Sequence, residues 1–181
     1  MKILLPKIID SIVRRMAYWI AYSCEANAVR FTEAEAVAEI AKILRDKFPF
    51  QTQIKREVDY RSINSVIKQN QRADLGIFID GKCKCLIEVK LNENTNGGFK
   101  KDIKKLSRIK HYNPDIYCFV ILLYRSSCYI NEPKSFVSDE GKALKRTIDI
   151  DQDKIRVRRV SNALCSPTAK KMKKVVCFEV L

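Results

Sequence analysis

Residues 71–92 read QRADLGIFIDGKCKCLIEVKLN, and the register in which this stretch folds back on itself decides the rest of the chain. Apolar residues alternate with others on both sides of Asp80-Gly81, a strong hairpin signal. Successive strand side chains point to opposite faces, so Glu88 and Lys90 share one. Where Asp74 points depends on the turn. A two-residue loop pairs Asp74 with Ile87, puts it on the face opposite Glu88, and mixes Lys84 with Ile77. A three-residue loop over Asp80-Gly81-Lys82, or a bulge, shifts the pairing by one. Leu75, Ile77 and Ile79 then share an apolar face with Cys83, Cys85, Ile87 and Val89. Asp74 lies opposite Glu88, with Lys90 beside them. That wholly apolar face favours the shifted register.

Two carboxylates directly opposite across a hairpin repel. Either a hard divalent cation lies between them or one acid has a raised pKa. A lysine beside such a pair can hold an attacking water, and a metal lowers that water's pKa. This is apparatus for hydrolysing a phosphodiester. Glu-x-Lys alone is common, so a hairpin whose polar face merely happens to be charged is the bland alternative, and the surroundings must decide.

The 181 residues carry 35 Lys and Arg against 21 Asp and Glu, a net charge of +14. A charge that large points to a polyanionic partner, nucleic acid before membrane. The opening MKILLPKIIDSIVRR is broken by Pro6, Lys7, Asp10 and Arg14-Arg15. It reads as neither signal peptide nor membrane span, which needs about 18 apolar residues in a row. The expectation is a cytoplasmic protein whose seven cysteines are reduced thiols. No Cys-x-x-Cys pair occurs, and His111 is the single histidine, so no zinc set is in view.

Along the chain, 6–28 reads as a helix with Ile8, Ile12, Met16 and Trp19-Ile20 at helical spacing, suited to the core or to a dimer contact. Thr32 is a good N-cap with Glu35 completing a capping box, and the helix runs to Lys47 on a stripe of Val37, Ile40 and Leu44. A first strand over 52–60 is expected to place Ile54 and Val58 on one face. After the hairpin, a helix buries Phe99, Ile103, Leu106 and Ile109, and Lys100, Lys101, Lys104, Lys105 and Arg108 cover the rest. That basic side is either a phosphate-backbone contact or a solvated face. Ile116–Tyr124, IYCFVILLY, reads as a central strand buried on both faces. Beyond it a short helix over 135–145, a hairpin over 147–160 and a last strand over 175–180 are expected. Residues 134–174 hold 12 basic and 5 acidic side chains, a second candidate nucleic-acid surface.

Asp74, thirteen residues, then Glu88-x-Lys90 resembles the signature of the PD-(D/E)xK nucleases, the restriction-endonuclease-like superfamily. The usual proline before the aspartate is Ala73 here. The order αβββαβ over about 32–125 agrees with that superfamily's core. The resemblance implies an α/β fold with a mixed central sheet flanked by helices, extended by the helix at 6–28 and a β-rich segment at 126–181, in one domain over 1–181. It implies that Asp74, Glu88 and the Val89 carbonyl hold Mg²⁺, with Mn²⁺ able to substitute, and that Lys90 positions and polarises the water. Glu33, on the buried stripe at the start of its helix, is the candidate for a further metal ligand, although acids favour a first helical turn in any case. DNA is the substrate that the resemblance implies, and nothing in the sequence excludes RNA. So short a chain would act as a homodimer or with a partner protein. The rival is a module that keeps the fold and binds nucleic acid or protein without cutting.

From the charge alone, affinity for duplex DNA should fall steeply between about 50 and 200 mM salt and should survive loss of Asp74 or Glu88. A nearly flat anisotropy titration across that range would assign the charge another purpose.

Overall fold

A turn and one additional residue phase the sheet. The computed structural model describes residues 4–27, 31–48, 51–67, 71–92, 96–125, 147–150, 152–163 and 173–181. Two helices, α1 (Leu5–Asn27) and α2 (Glu33–Lys47), precede strand β1 (Thr52–Asp59) and a 3₁₀ turn at Tyr60–Ser62. The hairpin β2 (Arg72–Ile79) and β3 (Lys82–Asn92) follows, then α3 (Asn96–Tyr112) and β4 (Tyr117–Arg125). The rest comprises β5 (Thr147–Ile150), β6 (Asp153–Ala163) and β7 (Lys173–Val180). The strands form one mixed sheet in the order β1-β2-β3-β4-β7-β6-β5, in which β3 and β4 are parallel and the other pairs antiparallel.

The hairpin turn is a two-residue one, with Ile79 opposite Lys82, rather than the three-residue loop over Asp80-Gly81-Lys82. Asp80 and Gly81 both have positive φ, 52° and 72°, the backbone that an Asp-Gly hairpin turn favours. The turn chemistry and the apolar pattern ask for different registers, and a bulge reconciles them. Phe78 faces Cys83 but Ile77 faces Cys85, so Lys84 is the extra residue. From there Leu75, Ile77, Cys85, Ile87 and Val89 join the layer packed under α1 and α2. Cys83 lies before the bulge, and contrary to expectation it joins Phe78 in the opposite layer, against α3.

That opposite layer is built from Phe99, Ile103, Leu106 and Ile109 of α3 on Leu86, Cys118, Val120, Leu122, Val176 and Phe178. The expected stripe of α3 is therefore the buried one. β4 is covered on both sides, since Cys118–Leu123 is fully buried. The Thr32 capping box forms, with the Glu35 N–H donating to Thr32 Oγ1 at 3.2 Å and the Thr32 N–H donating to the Glu35 carboxylate at 2.6 Å. It fixes where α2 begins, and hence where Glu33 stands.

A further sequence expectation is corrected, and another is narrowed. Ile54 packs on the α1–α2 layer, but Val58 packs on the α3 layer. The cause is Glu57, whose φ of 49° breaks the strand's alternation opposite Asp74. The basic C-terminal surface is also partly spent inside the fold. Arg158 donates to Asp10 of α1 at 2.9 Å and to Glu179 at 3.1 Å, and Lys174 is buried. The helix expected over 135–145 and, of the basic residues that close the 134–174 segment, Lys170 and Lys171 lie outside the described residues. Among the described residues, no helix is long and apolar enough to cross a membrane.

Gly76 leaves no room for a side chain in the hairpin. A Cβ there would meet Val58 Cγ2 at 2.8 Å and the Phe78 ring at 2.9 Å. Gly76→Ala should cost about 1–3 kcal/mol in urea denaturation. An unchanged midpoint would show that β1 can move away without loss.

Candidate functional site

The site begins where two strands part. Leu75 and Ile87 are the last opposed residues of β2 and β3; beyond them β2 continues only beside β1, and β3 only beside β4. N–H groups two residues apart point to the same side of a strand, so Val89 and Leu91 both turn toward the gap with no strand to receive them. Carboxylates take their place. The Val89 N–H donates to Asp74 Oδ2 at 2.7 Å, and the Leu91 N–H donates to Glu33 Oε2 at 3.2 Å. A strand residue's C=O faces the same side as its N–H, so the Val89 carbonyl also faces the gap.

Glu88 and Lys90 project from the same face of β3, the one covered by α3. Lys90 Nζ lies 3.3 Å from Glu33 Oε1 and 3.3 Å from Asp102 Oδ2, bridging the start of α2 on one face of the sheet and α3 on the other. Its stem rests 3.5 Å from where a side chain on Gly98 would begin. The geometry thus gathers Asp74, Glu88, Val89, Lys90 and Glu33, all singled out from sequence, at one place. Glu33 stands there as a carboxylate already engaged by an ammonium and a backbone N–H.

Three further residues belong to the cluster and were not assigned to it from sequence. The Tyr60 hydroxyl donates to Glu88 Oε1 at 2.5 Å. Asp102 is buried, and accepts from Lys105 Nζ at 2.7 Å. Lys105 in turn lies 3.8 Å from Glu88 Oε1. Lys105 therefore does not belong to the outward basic side of α3 with Lys101, Lys104 and Arg108, which are exposed, or with the half-buried Lys100. Asp102 carried a signal: it stands three residues after Phe99 and four before Leu106, on the buried stripe of an otherwise basic helix. Tyr60 carried none, because nothing in local spacing links it to an acid 28 residues on.

Electrostatics follows from the crowding. Burial, then the charge of Asp74, pushes Glu88 up to about 8, with the Tyr60 hydroxyl pulling the other way. Burial also raises Asp74, opposed by the Val89 N–H and assisted by the charge of Glu33, while a hydrogen bond from Glu88 lowers it. Both acids are therefore protonated more readily than free carboxylates. Burial pulls Lys90 down, but Asp102 and Glu33 outweigh it and keep the ammonium charged above its ordinary range. Lys105 behaves likewise, with Asp102 and Glu88 overcoming burial. Burial and Glu88 drive the Tyr60 phenol far up, so it acts as a donor.

No family model, curated protein or solved structure matches the chain, so the reading of this cluster rests on its own geometry.

With no cation bound, the fold favours neutral Glu88. That contribution is complete below the ordinary carboxyl value of 4.5 and is lost as pH rises toward about 8. Glu88→Gln keeps the acceptor for Tyr60 without the charge, so in chelator at about pH 8 it should be more stable than the parent by about 1–3 kcal/mol. Stability curves running parallel from acid to alkaline pH would remove Glu88 as the titrating group.

Proposed function

We propose that this protein is a metal-dependent nuclease that hydrolyses phosphodiester bonds, with DNA as its substrate, on a restriction-endonuclease-like core running from α2 to β4. One observation carries the reading: the parting of β2 and β3 places Asp74, Glu88 and the Val89 carbonyl on one gap, with the Lys90 ammonium beside them. The element order α2-β1-β2-β3-α3-β4 supports the core assignment.

The donor set fits Mg²⁺. Four acids, Asp74, Glu88, Glu33 and Asp102, meet two lysines there, so the pocket is short of positive charge, and carboxylate and carbonyl oxygens are the ligands a hard cation takes. Asp74, Glu88 and the Val89 carbonyl would hold the ion. When bound, Mg²⁺ or Mn²⁺ lowers the pKa of a coordinated water and offsets charge on the phosphoryl group. Lys90 cannot serve as a general base while Asp102 and Glu33 keep it protonated; its N–H groups orient the attacking oxygen and stabilise charge developing on the phosphate. The part of Glu33 is to hold Lys90 and Leu91 rather than the ion, since its oxygens are engaged there. Exposed Lys101, Lys104 and Arg108 on α3 face the backbone of the bound strand.

The test is incubation with plasmid, linear duplex, single strands and RNA, each with Mg²⁺, Mn²⁺ or chelator. Cleavage should require the cation. Asp74→Ala and Glu88→Ala should abolish cleavage and weaken Mn²⁺ binding in calorimetry. Lys90→Ala should cut about a hundredfold more slowly or worse while still binding Mn²⁺, because an ammonium is not a ligand. DNA binding with neither Mn²⁺ uptake nor cleavage would turn the assignment to a non-cutting binding module.

A further inference from the structure

Next to the acids lies a cavity of about 310 Å³, between the segment after β1 and the outer half of α3. Tyr60, Val66, Ile67 and Gln71 line one side, and Lys105, Arg108 and Tyr112 of α3 the other. It is coupled to the acids through two of its own walls. The Tyr60 ring is buried with its hydroxyl on Glu88, and Lys105 reaches to 3.8 Å from the same carboxylate. Whatever enters is therefore one tyrosine ring from the acids.

The walls have a particular chemistry. Val66 is 61% exposed and Tyr112 50%, large apolar surfaces left open across one cavity rather than scattered singly. Val66 is held in place: Asn64 accepts from the Val66 N–H through its side chain at 3.0 Å and from the Ile67 N–H through its carbonyl at 3.1 Å. Gln71 adds an amide that can donate and accept, and the exposed cations of α3 run alongside. An exposed tyrosine ring and aliphatic side chains with an amide beside them suit a planar heteroaromatic ring, and the cations Lys105 and Arg108 in the same lining suit a ring attached to phosphates. Within a duplex the base faces are covered by their neighbours, so a paired and stacked base cannot enter.

We propose that this cavity takes one unpaired nucleobase, so that the substrate is a nucleic acid with an unstacked nucleotide, whose adjoining phosphate is delivered to Asp74 and Glu88. The inference rests on the nuclease reading for that last step only. Tyr112 and Val66 supply the stacking surface, and Gln71 contacts the edge of the base.

The experiment uses the full chain in chelator, where no cutting occurs, and short fluorescent DNAs: a perfect duplex, the same duplex with one unpaired nucleotide, and a single strand. The parent should bind the two DNAs with unpaired bases at least about tenfold more tightly than the perfect duplex. Tyr112→Ala and Val66→Ser should erase that preference and leave perfect-duplex affinity unchanged, while Tyr112→Phe retains it. With 2-aminopurine as the unpaired base, the parent should quench its fluorescence and Tyr112→Ala should not. Both residues are exposed, so the variants should melt with the parent. Equal affinity of the parent for all three DNAs, or variants that weaken all three alike, would overturn the proposal. Cleavage in Mg²⁺ is scored separately. A binding preference without cleavage keeps the cavity and removes the nuclease; cleavage without preference does the reverse.

Discussion

One extra residue in β3 governs the chemistry of this chain. The Asp-Gly turn dictates one register and the apolar pattern another, and the bulge at Lys84 lets both hold. Without it, the residues after Cys83 would turn their other side to each layer. Glu88 and Lys90 would then face the layer under α1 and α2, where no counter-charge from α3 could reach them. The bulge also adds local twist, and β2 and β3 separate soon after it, beyond Leu75 and Ile87. Placement of the acids and the opening that receives them follow from the same irregularity.

What the fold then tolerates is a concentration of acids in a buried place. Such clusters are destabilising unless each charge finds a donor. Here the donors come from every side: two backbone N–H groups that have lost their strand, a tyrosine from the end of β1, and two lysines. Asp102 is the counterweight that lets those lysines lie inward without excess positive charge. The helix after the hairpin thus has two roles, with its inner residues balancing the acids and its outer lysines and Arg108 presented to solvent. The cluster is neutralised only in part. Glu88 and Asp74 both remain above their ordinary range, Glu88 through burial and the charge of Asp74, and Asp74 chiefly through burial.

The hairpin, the capped start of α2, the buried stripe of α3 and the doubly covered β4 were legible because each is a local pattern: an alternation, a capping pair, a helical stripe and an unbroken apolar run. The parity that unites Asp74 with Glu88 was legible too, since only one parity completes the apolar face. How it is achieved was not, because a three-residue loop and a two-residue loop with a bulge give the same parity over 85–90. Val58 was misplaced because a single left-handed residue, Glu57, interrupts a strand without leaving a glycine to announce it. Lys105 was misread for a related reason. Five basic residues on one helix look equivalent until a buried partner is found for one of them, and Asp102 was hidden in the same run. Tyr60 depends on a tertiary contact that no window of sequence contains.

The place of β7 in the sheet has a consequence for how the chain reaches this state. It inserts between β4 and the β5–β6 hairpin, so β4, a strand buried on both faces, gains its second neighbour only after residues 126–172 have been made. During synthesis β4 therefore has an open edge, the kind of surface that pairs with the wrong chain. The Arg158 link from β6 to Asp10 of α1 closes over a still longer separation. Contacts of such range form slowly. The acids can assemble early, from the contiguous stretch that supplies them, but the scaffold that keeps them rigid is completed late.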